Sequence, residues 1–388
     1  MHAVHCLNNI SSHGTDLLTD SYELTDKLEQ AEGILVRSAS MHDRNLPENL
    51  LAIARAGAGV NNIPVSRCAE EGIVVFNTPG ANANAVKELV LCALLLGSRG
   101  IVEGIEWCRQ NADDEGIAKA AEKAKKAFAG REIKGKKLGV IGLGAIGAEV
   151  ANAALGLGME VYGYDPYVSV GAAWRISSSV KHVTDLDDIF RTCDYLTIHV
   201  PAMEGTIGMV DDRACSLMKD GAVFLNFSRD TLVNNEAMAK ALESGKVHAY
   251  LTDFAVPGVM GMKGATVLPH LGASTAEAED NCAAMAVNEL MDYIENGNIR
   301  NSVNYPACDM GVCPEGAGRV AVFHQNVPNM ISQITNAFGE GSVNIANLTN
   351  KARGDFSYTL IDTDTTVPES VITKLGDIEG VRRVRVVQ

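Results

Sequence analysis

The sequence predicts an α/β protein with two doubly wound, parallel-sheet domains followed by a small mixed module. Three observations carry this expectation. Short β-rich runs alternate with helical ones through the first hundred residues, the alternation resumes more regularly from Lys137, and the last 70 or so residues read β-α-β-β-α-β.

In the first domain the β-rich runs are VHCL at 4–7, GILVR at 33–37, LLAIARAG at 50–57 and IVVFN at 73–77. NANAVKELVLCALLLG, residues 82–97, is apolar and long enough for a buried helix that Gly97 ends. Residues 100–137 turn rich in Ala, Lys and Glu, which suits an exposed connecting helix between domains. From Lys137 the strand runs KLGVIGLG, VYGYDP, YLTIHVP, AVFLNFS, AYLTDF and TVLPH alternate with helices, the period a doubly wound sheet requires. A long helix over roughly Thr275–Asn296 is expected to return the chain to the first domain. NSVNYPACDMGVCPEGAG, residues 301–318, reads as a linker. The strands RVAVFHQ, VNIANLTNKAR, FSYTLIDTDT and VRRVRVVQ, with two intervening helices, then give a ferredoxin-like module. The boundaries are 1–97 with 275–302 for the first domain, 98–274 for the second, 303–317 for the linker and 318–388 for the module.

A chain of 388 residues can bury two or three cores. Its formal net charge of −15 argues against nucleic acid or an anionic membrane as partner. Nine cysteines without a C-x-x-C pair read as reduced thiols of a cytoplasmic protein. LVLCALLLG, from Leu89, is far short of a membrane span. His2, His5 and Cys6 lie close together, but their alternation fits a first strand, so no metal is expected.

KKLGVIGLGAIGAEV holds G-x-G-x-x-G as Gly142, Gly144 and Gly147, between a strand and a helix. These glycines bring main-chain N–H groups against a pyrophosphate at the helix N-terminus. Asp165 ends the next strand, 23 residues after Gly142, where a carboxylate accepts both ribose hydroxyls and repels a 2′-phosphate. The domain is therefore Rossmann-like, with NAD favoured over NADP. Arg229 in AVFLNFSRD and His270 in VLPHLGAST stand at C-terminal ends of predicted strands. A guanidinium there suits a carboxylate with its adjacent carbonyl, and an imidazole suits one proton transfer near neutral pH.

GLGAIG, Asp165, NFSRD, LTDF and PHLGAST, in this order and spacing, resemble the NAD-dependent D-2-hydroxyacid dehydrogenases. VRSAS, AGAGVNNIP and VVFNTPGANANAVKEL, with the C-terminal module, narrow the resemblance to the D-3-phosphoglycerate dehydrogenases among them. The resemblance implies a Rossmann-like substrate-binding domain at 1–97 and 275–302, a Rossmann NAD-binding domain at 98–274, and an ACT regulatory domain at 318–388. It implies oxidation of 3-phosphoglycerate to 3-phosphohydroxypyruvate, the entry to serine synthesis, in a homodimer or homotetramer. By position, Thr78, Gly142, Gly144, Ala145, Ile146, Gly147, Asp165 and Asp253 would contact NAD, with Asp253 at the carboxamide. Arg229 would hold the substrate carboxylate and 2-oxygen, and His270 would be the acid/base. Arg37 and Ser38 would hold the phosphate, and Gly59 and Asn61 lie on the substrate loop; a solvated strand-end charge is the other reading of Arg37. His324, Asn326 and Asn344 would contact L-serine as effector, or the module would only join subunits.

The sequence departs from that pattern in three places. The glutamate that usually pairs with the catalytic histidine is missing from FAVPGV, Asp230 stands for a glycine, and Asn329 for another. Without the glutamate the imidazolium loses a stabilising neighbour, so reduction at neutral pH is expected to suffer more than oxidation. The competing readings are a dehydrogenase for another D-2-hydroxy acid, and an NAD-responsive binding protein with weak catalysis.

Overall fold

The computed structural model describes residues 1–314 and 316–388. The chain forms two compact units, one of residues 1–82 and 276–388 and one of residues 83–275.

The first unit opens with five parallel strands: β1 (His2–Cys6), β2 (Tyr22–Leu24), β3 (Gly33–Val36), β4 (Ala52–Arg55) and β5 (Val74–Asn77), in the order β2-β1-β3-β4-β5. The runs GILV and AIA are apolar at every position because both faces are covered. Alternation sorts them into two cores. Leu35, Ala52, Ala54, Val74 and Phe76 point to the long helix Ala276–Asn296, meeting Ala286, Leu290 and Tyr293, while Ile34, Val36, Ile53 and Val75 pack with Ile63 and Cys68 on the other face. The chain runs from β1 outward to β2, then crosses back to β3 on the other side of β1. That reversal opens a crevice at the C-terminal ends of β1 and β3, where open α/β sheets take ligands.

The second unit holds seven parallel strands: β6 (Lys137–Ile141), β7 (Glu160–Tyr164), β8 (Lys181–His182), β9 (Tyr195–Ile198), β10 (Ala222–Asn226), β11 (Val247–Thr252) and β12 (Ala265–Val267). Their order, β12-β11-β10-β9-β6-β7-β8, places the reversal between β6 and β9. The expected helix at 82–97 forms as Ala83–Leu96. The expected single connecting helix over 100–137 forms instead as Ile101–Gln110 and Ile117–Ala124, with no buried residue in either. The NADDEG stretch between them breaks the helix, since Asn111 caps one segment and Gly116 begins the next.

The first unit closes with an antiparallel sheet of β13 (Gly318–Gln325), β14 (Ile345–Arg353), β15 (Phe356–Thr363) and β16 (Val381–Val386), ordered β14-β15-β13-β16, with helices Met330–Glu340 and Glu369–Gly376. Val320, Val322 and Ile361 face those helices. Ala321, Phe323, Tyr358 and Leu360, on the other face, join the core around Leu290, Tyr293 and Tyr305. The carbonyls left over at the end of the long helix are taken by this sheet. Arg385 donates to the carbonyls of Tyr293 and Ile294, Tyr358 Oη to that of Gly297 at 2.7 Å, and the buried Arg319 to that of Asn296 at 2.9 Å. Arg319 also grips Asp362 with two hydrogen bonds of 2.6 and 2.9 Å.

Candidate functional site

In the second unit the glycine motif follows β6 at the reversal. Gly142 turns the chain with φ of 91°. A methyl group on Gly147 would fall 1.9 Å from the Gly142 carbonyl oxygen, so only glycine lets the helix Ala145–Gly156 start this close to the strand. Gly144 is the opposite case. A Cβ there would meet nothing within 4 Å, which leaves a cradle open before the N-termini of Ala145 and Ile146. Asp165, just after β7, accepts from Leu143 N at 2.9 Å and from Tyr167 N at 2.8 Å, which fixes its carboxylate beside the turn. The open main-chain cradle and the fixed carboxylate fit a dinucleotide. His199, to which no sequence motif points, follows β9 beside this turn: its carbonyl oxygen lies 2.7 Å from where a Gly142 Cβ would stand. Burial pushes its imidazole down to about 3, Nε2 lies 2.9 Å from the Thr197 hydroxyl, and Nδ1 has no partner. The signal was available as a histidine closing the run YLTIH.

Three predicted groups gather at the neighbouring strand ends of the same unit. Arg229 follows β10, exposed, with Nη1 donating to Ser228 O at 2.6 Å; Asn226 braces that turn by donating to Arg229 O. Asp253 follows β11 and is buried; its Oδ2 accepts from Gly272 N at 2.8 Å, while Oδ1 is buried and without a partner. Burial raises its carboxyl, and the Gly272 N–H with the charges of His270 and Arg229 pull the other way. A buried carboxylate oxygen with a free lone pair fits an amide donor such as a carboxamide.

His270 itself is held by means other than a glutamate. Its backbone is in the left-handed region at φ of 51°, a strained setting for a non-glycine residue. Its N–H donates to the carbonyls of Asp253, at 2.9 Å, and Leu268, at 3.1 Å. The ring stands edge-on to Phe254 at 5.5 Å and 74°. Main chain and an aromatic neighbour thus aim the exposed imidazole, with the Asp253 carboxylate near enough to attract it.

In the first unit the crevice between β1 and β3 carries Arg37 and Ser38. Arg37 N donates to Asn8 Oδ1 at 3.0 Å, and Asn8 Nδ2 donates to Ser38 Oγ at 2.9 Å. Arg55, at the end of β4, was read only as part of a strand. Its Nε donates to Arg37 O at 3.1 Å, and its guanidinium folds over Gly57, where a Cβ would come 2.1 Å from Nη1. Two guanidiniums and a serine hydroxyl at a sheet's C-terminal edge suit an anion. Thr78, buried, donates its N–H to Gly57 O. Gly59 and Asn61 lie on the loop after β4, with Asn61 exposed and its carbonyl 2.9 Å from His42 Nε2.

The proposed effector residues divide. His324 is buried, with Nδ1 2.8 Å from Gln325 O and Nε2 2.8 Å from Thr359 Oγ1, and Asn326 donates to Gly354 O. Asn344 donates to Asp364 at the other end of β15. Six strand steps separate their registers, Ser357 beside His324 and Thr363 beside Ile345, or about 20 Å. His2 Nδ1 lies 2.7 Å from Glu32 Oε2, and His5 Nδ1 lies 2.8 Å from the Thr25 carbonyl.

Residues 91–272 match the model of the NAD-binding domain of the D-isomer specific 2-hydroxyacid dehydrogenases. The chain is 31% identical to D-3-phosphoglycerate dehydrogenase of Escherichia coli (strain K12), a match spanning 97% of this chain and 91% of that protein. It is 34% identical to hydroxypyruvate reductase of Thermotoga maritima, over 71% of this chain and 93% of that one. In fold it is similar to the NAD+-bound 3-phosphoglycerate dehydrogenase of Entamoeba histolytica, with a TM-score of 0.62 at 23% identity, over 78% of this chain and 98% of that one.

Proposed function

Since the chain belongs to the D-isomer specific 2-hydroxyacid dehydrogenases and uses NAD, we propose that its substrate is 3-phosphoglycerate, oxidised to 3-phosphohydroxypyruvate at the start of serine synthesis in the cytoplasm. The observation that carries this reading is the anion-binding edge of Arg37, Ser38 and Arg55. A phosphate is the group that such a pair of guanidiniums recognises best. Arg229 would hold the carboxylate and 2-oxygen, and His270 would take the hydroxyl proton as neutral imidazole in oxidation and return it in reduction. Bound NAD supplies the hydride acceptor; Gly142–Gly147, Asp165 and Asp253 hold and orient it.

The second reading is a reductase of an unphosphorylated 2-oxo acid. It is favoured by the likeness to a hydroxypyruvate reductase and by the ion pair that already occupies Arg37.

A homo-oligomer belongs to the same proposal, supported by the exposed Ile101, Val102 and Ile105 on one helix. So does L-serine as effector. With His324 and Asn344 at opposite ends of β15, one serine reaches both only between two copies. Unchanged activity and thermal midpoint with serine would end that part of the reading.

The test is NADH formation from 3-phosphoglycerate, D-glycerate and D-lactate, with His270→Ala as control. Turnover selective for the phosphorylated acid and lost in the variant is the expected result. Selectivity for D-glycerate establishes the second reading, and tight NAD binding without turnover leaves an NAD-responsive binding protein.

A further inference from the structure

Arg37, the proposed phosphate ligand, is already engaged. Its Nη2 lies 2.7 Å from Glu279 Oε1, with the two side chains 38% and 43% exposed. Glu279 stands on the first turn of the long helix, and that helix packs across β3, β4 and β5, the strands whose ends carry Arg37, Arg55 and Thr78. The same helix turn that covers the sheet edge thus delivers a carboxylate to the anion site. Arg55 remains beside it, tied through Nε to the Arg37 carbonyl.

We infer that Glu279 is a specificity-determining residue of this site, an internal carboxylate that holds Arg37 until the distal anion of a substrate displaces it. The inference rests on the reading of this edge as the substrate site. A half-exposed ion pair is weak, whereas a phosphate dianion makes two charge-assisted bonds to one guanidinium. A phosphorylated acid can therefore break the pair, and an uncharged hydroxymethyl end leaves it closed. Once displaced, the carboxylate stays near the bound phosphate and repels it. Glu279 thereby lowers the preference for phosphorylated over unphosphorylated acids without touching the reacting carbon.

Glu279→Gln frees Arg37 and removes the repulsion. The expected effect is a fall of roughly two- to fivefold in KM for 3-phosphoglycerate, with kcat and the KM for D-glycerate unchanged. Glu279→Asp, which keeps the charge, should keep the wild-type ratio of the two KM values. Glu277→Gln serves as control, because it removes a charge from the same helix turn outside the site. If Glu279 only complements the helix dipole, both Gln variants lower the thermal midpoint alike and neither changes the KM ratio, which overturns the inference. Calorimetric titration with inorganic phosphate separates this from the functional reading. Should the wild type fail to turn over 3-phosphoglycerate, tighter phosphate binding by Glu279→Gln than by wild type still supports the role of Glu279, and equal or absent binding in both overturns it.

Discussion

At the reversal of the seven-stranded sheet the groups open to a ligand are main chain; at the reversal of the five-stranded sheet they are side chains. The first place is a turn of glycines, the start of one helix and a single pinned carboxylate. The second is built of Asn8, Arg37, Ser38 and Arg55, drawn from the ends of three strands and tied together by hydrogen bonds. The same topology therefore makes two kinds of site. Where main chain does the recognising, what a residue lacks matters most; where side chains do, the counter-charges around them set what binds.

The hardest blow to this contrast falls on Gly147. Gly147→Ala sets a methyl group against the Gly142 carbonyl, and we expect about 4 kcal/mol lost, seen as a low melting midpoint and no measurable NAD binding. Gly144→Ala has room in the fold and should melt like the wild type while losing NAD affinity, because its methyl group fills the open cradle. If it binds NAD normally, recognition there does not depend on the bare main chain.

The two units should also answer pH in opposite senses. Glu289, on the long helix, is buried, with Oε1 accepting from Asn301 and Oε2 unpartnered, and burial raises its carboxyl from 4.5 to about 7. The folded state keeps that proton in a range where the unfolded chain has released it, so the contribution is whole below about pH 4.5 and is lost as pH rises towards 7. His199 is displaced downward, from 6.5 to about 3, so its contribution is whole above about 6.5 and is lost as pH falls towards 3. Glu289→Gln should flatten the alkaline limb of stability, by about 3 kcal/mol near pH 8, and His199→Gln the acid limb, both read from urea unfolding across pH.

Smaller effects test the side-chain site. Arg55→Met should weaken an anionic substrate by about 2 kcal/mol, or some thirtyfold in KM. Asn8→Ala leaves Ser38 Oγ and Arg37 N without a brace, and a rise of a few-fold in KM, about 1 kcal/mol, is expected from the same assay.

The contrast also explains what could be read from the letters. A glycine turn between strand and helix announces itself because spacing and residue type are both demanded by the main chain. The strands and most helices were legible for the same reason, as apolar runs with the right period, whereas the break at Asn111–Gly116 depended on local caps inside a helix-prone stretch. Arg55 is absorbed into the run LLAIARAG, and nothing in the sequence sets Glu279 apart from the other acidic residues of its helix. Their meeting with Arg37 comes from the crossing of the long helix over the sheet, which no local pattern encodes. The support of His270 was equally hidden. A left-handed backbone and an edge-on phenylalanine leave no charge signature, so only the missing glutamate could be noticed.

The last four strands have a consequence for how this chain can be cut. Their helix-free face is the inner wall beneath the long helix, and their arginines and Tyr358 satisfy that helix's final carbonyls. A polypeptide halted after residue 317 would bare Leu290 and Tyr293 to water. Here the C-terminal sheet is no detachable cassette: shuffling or trimming it would unmake the half it packs against, and a stop codon in that stretch would leave a chain with an open core.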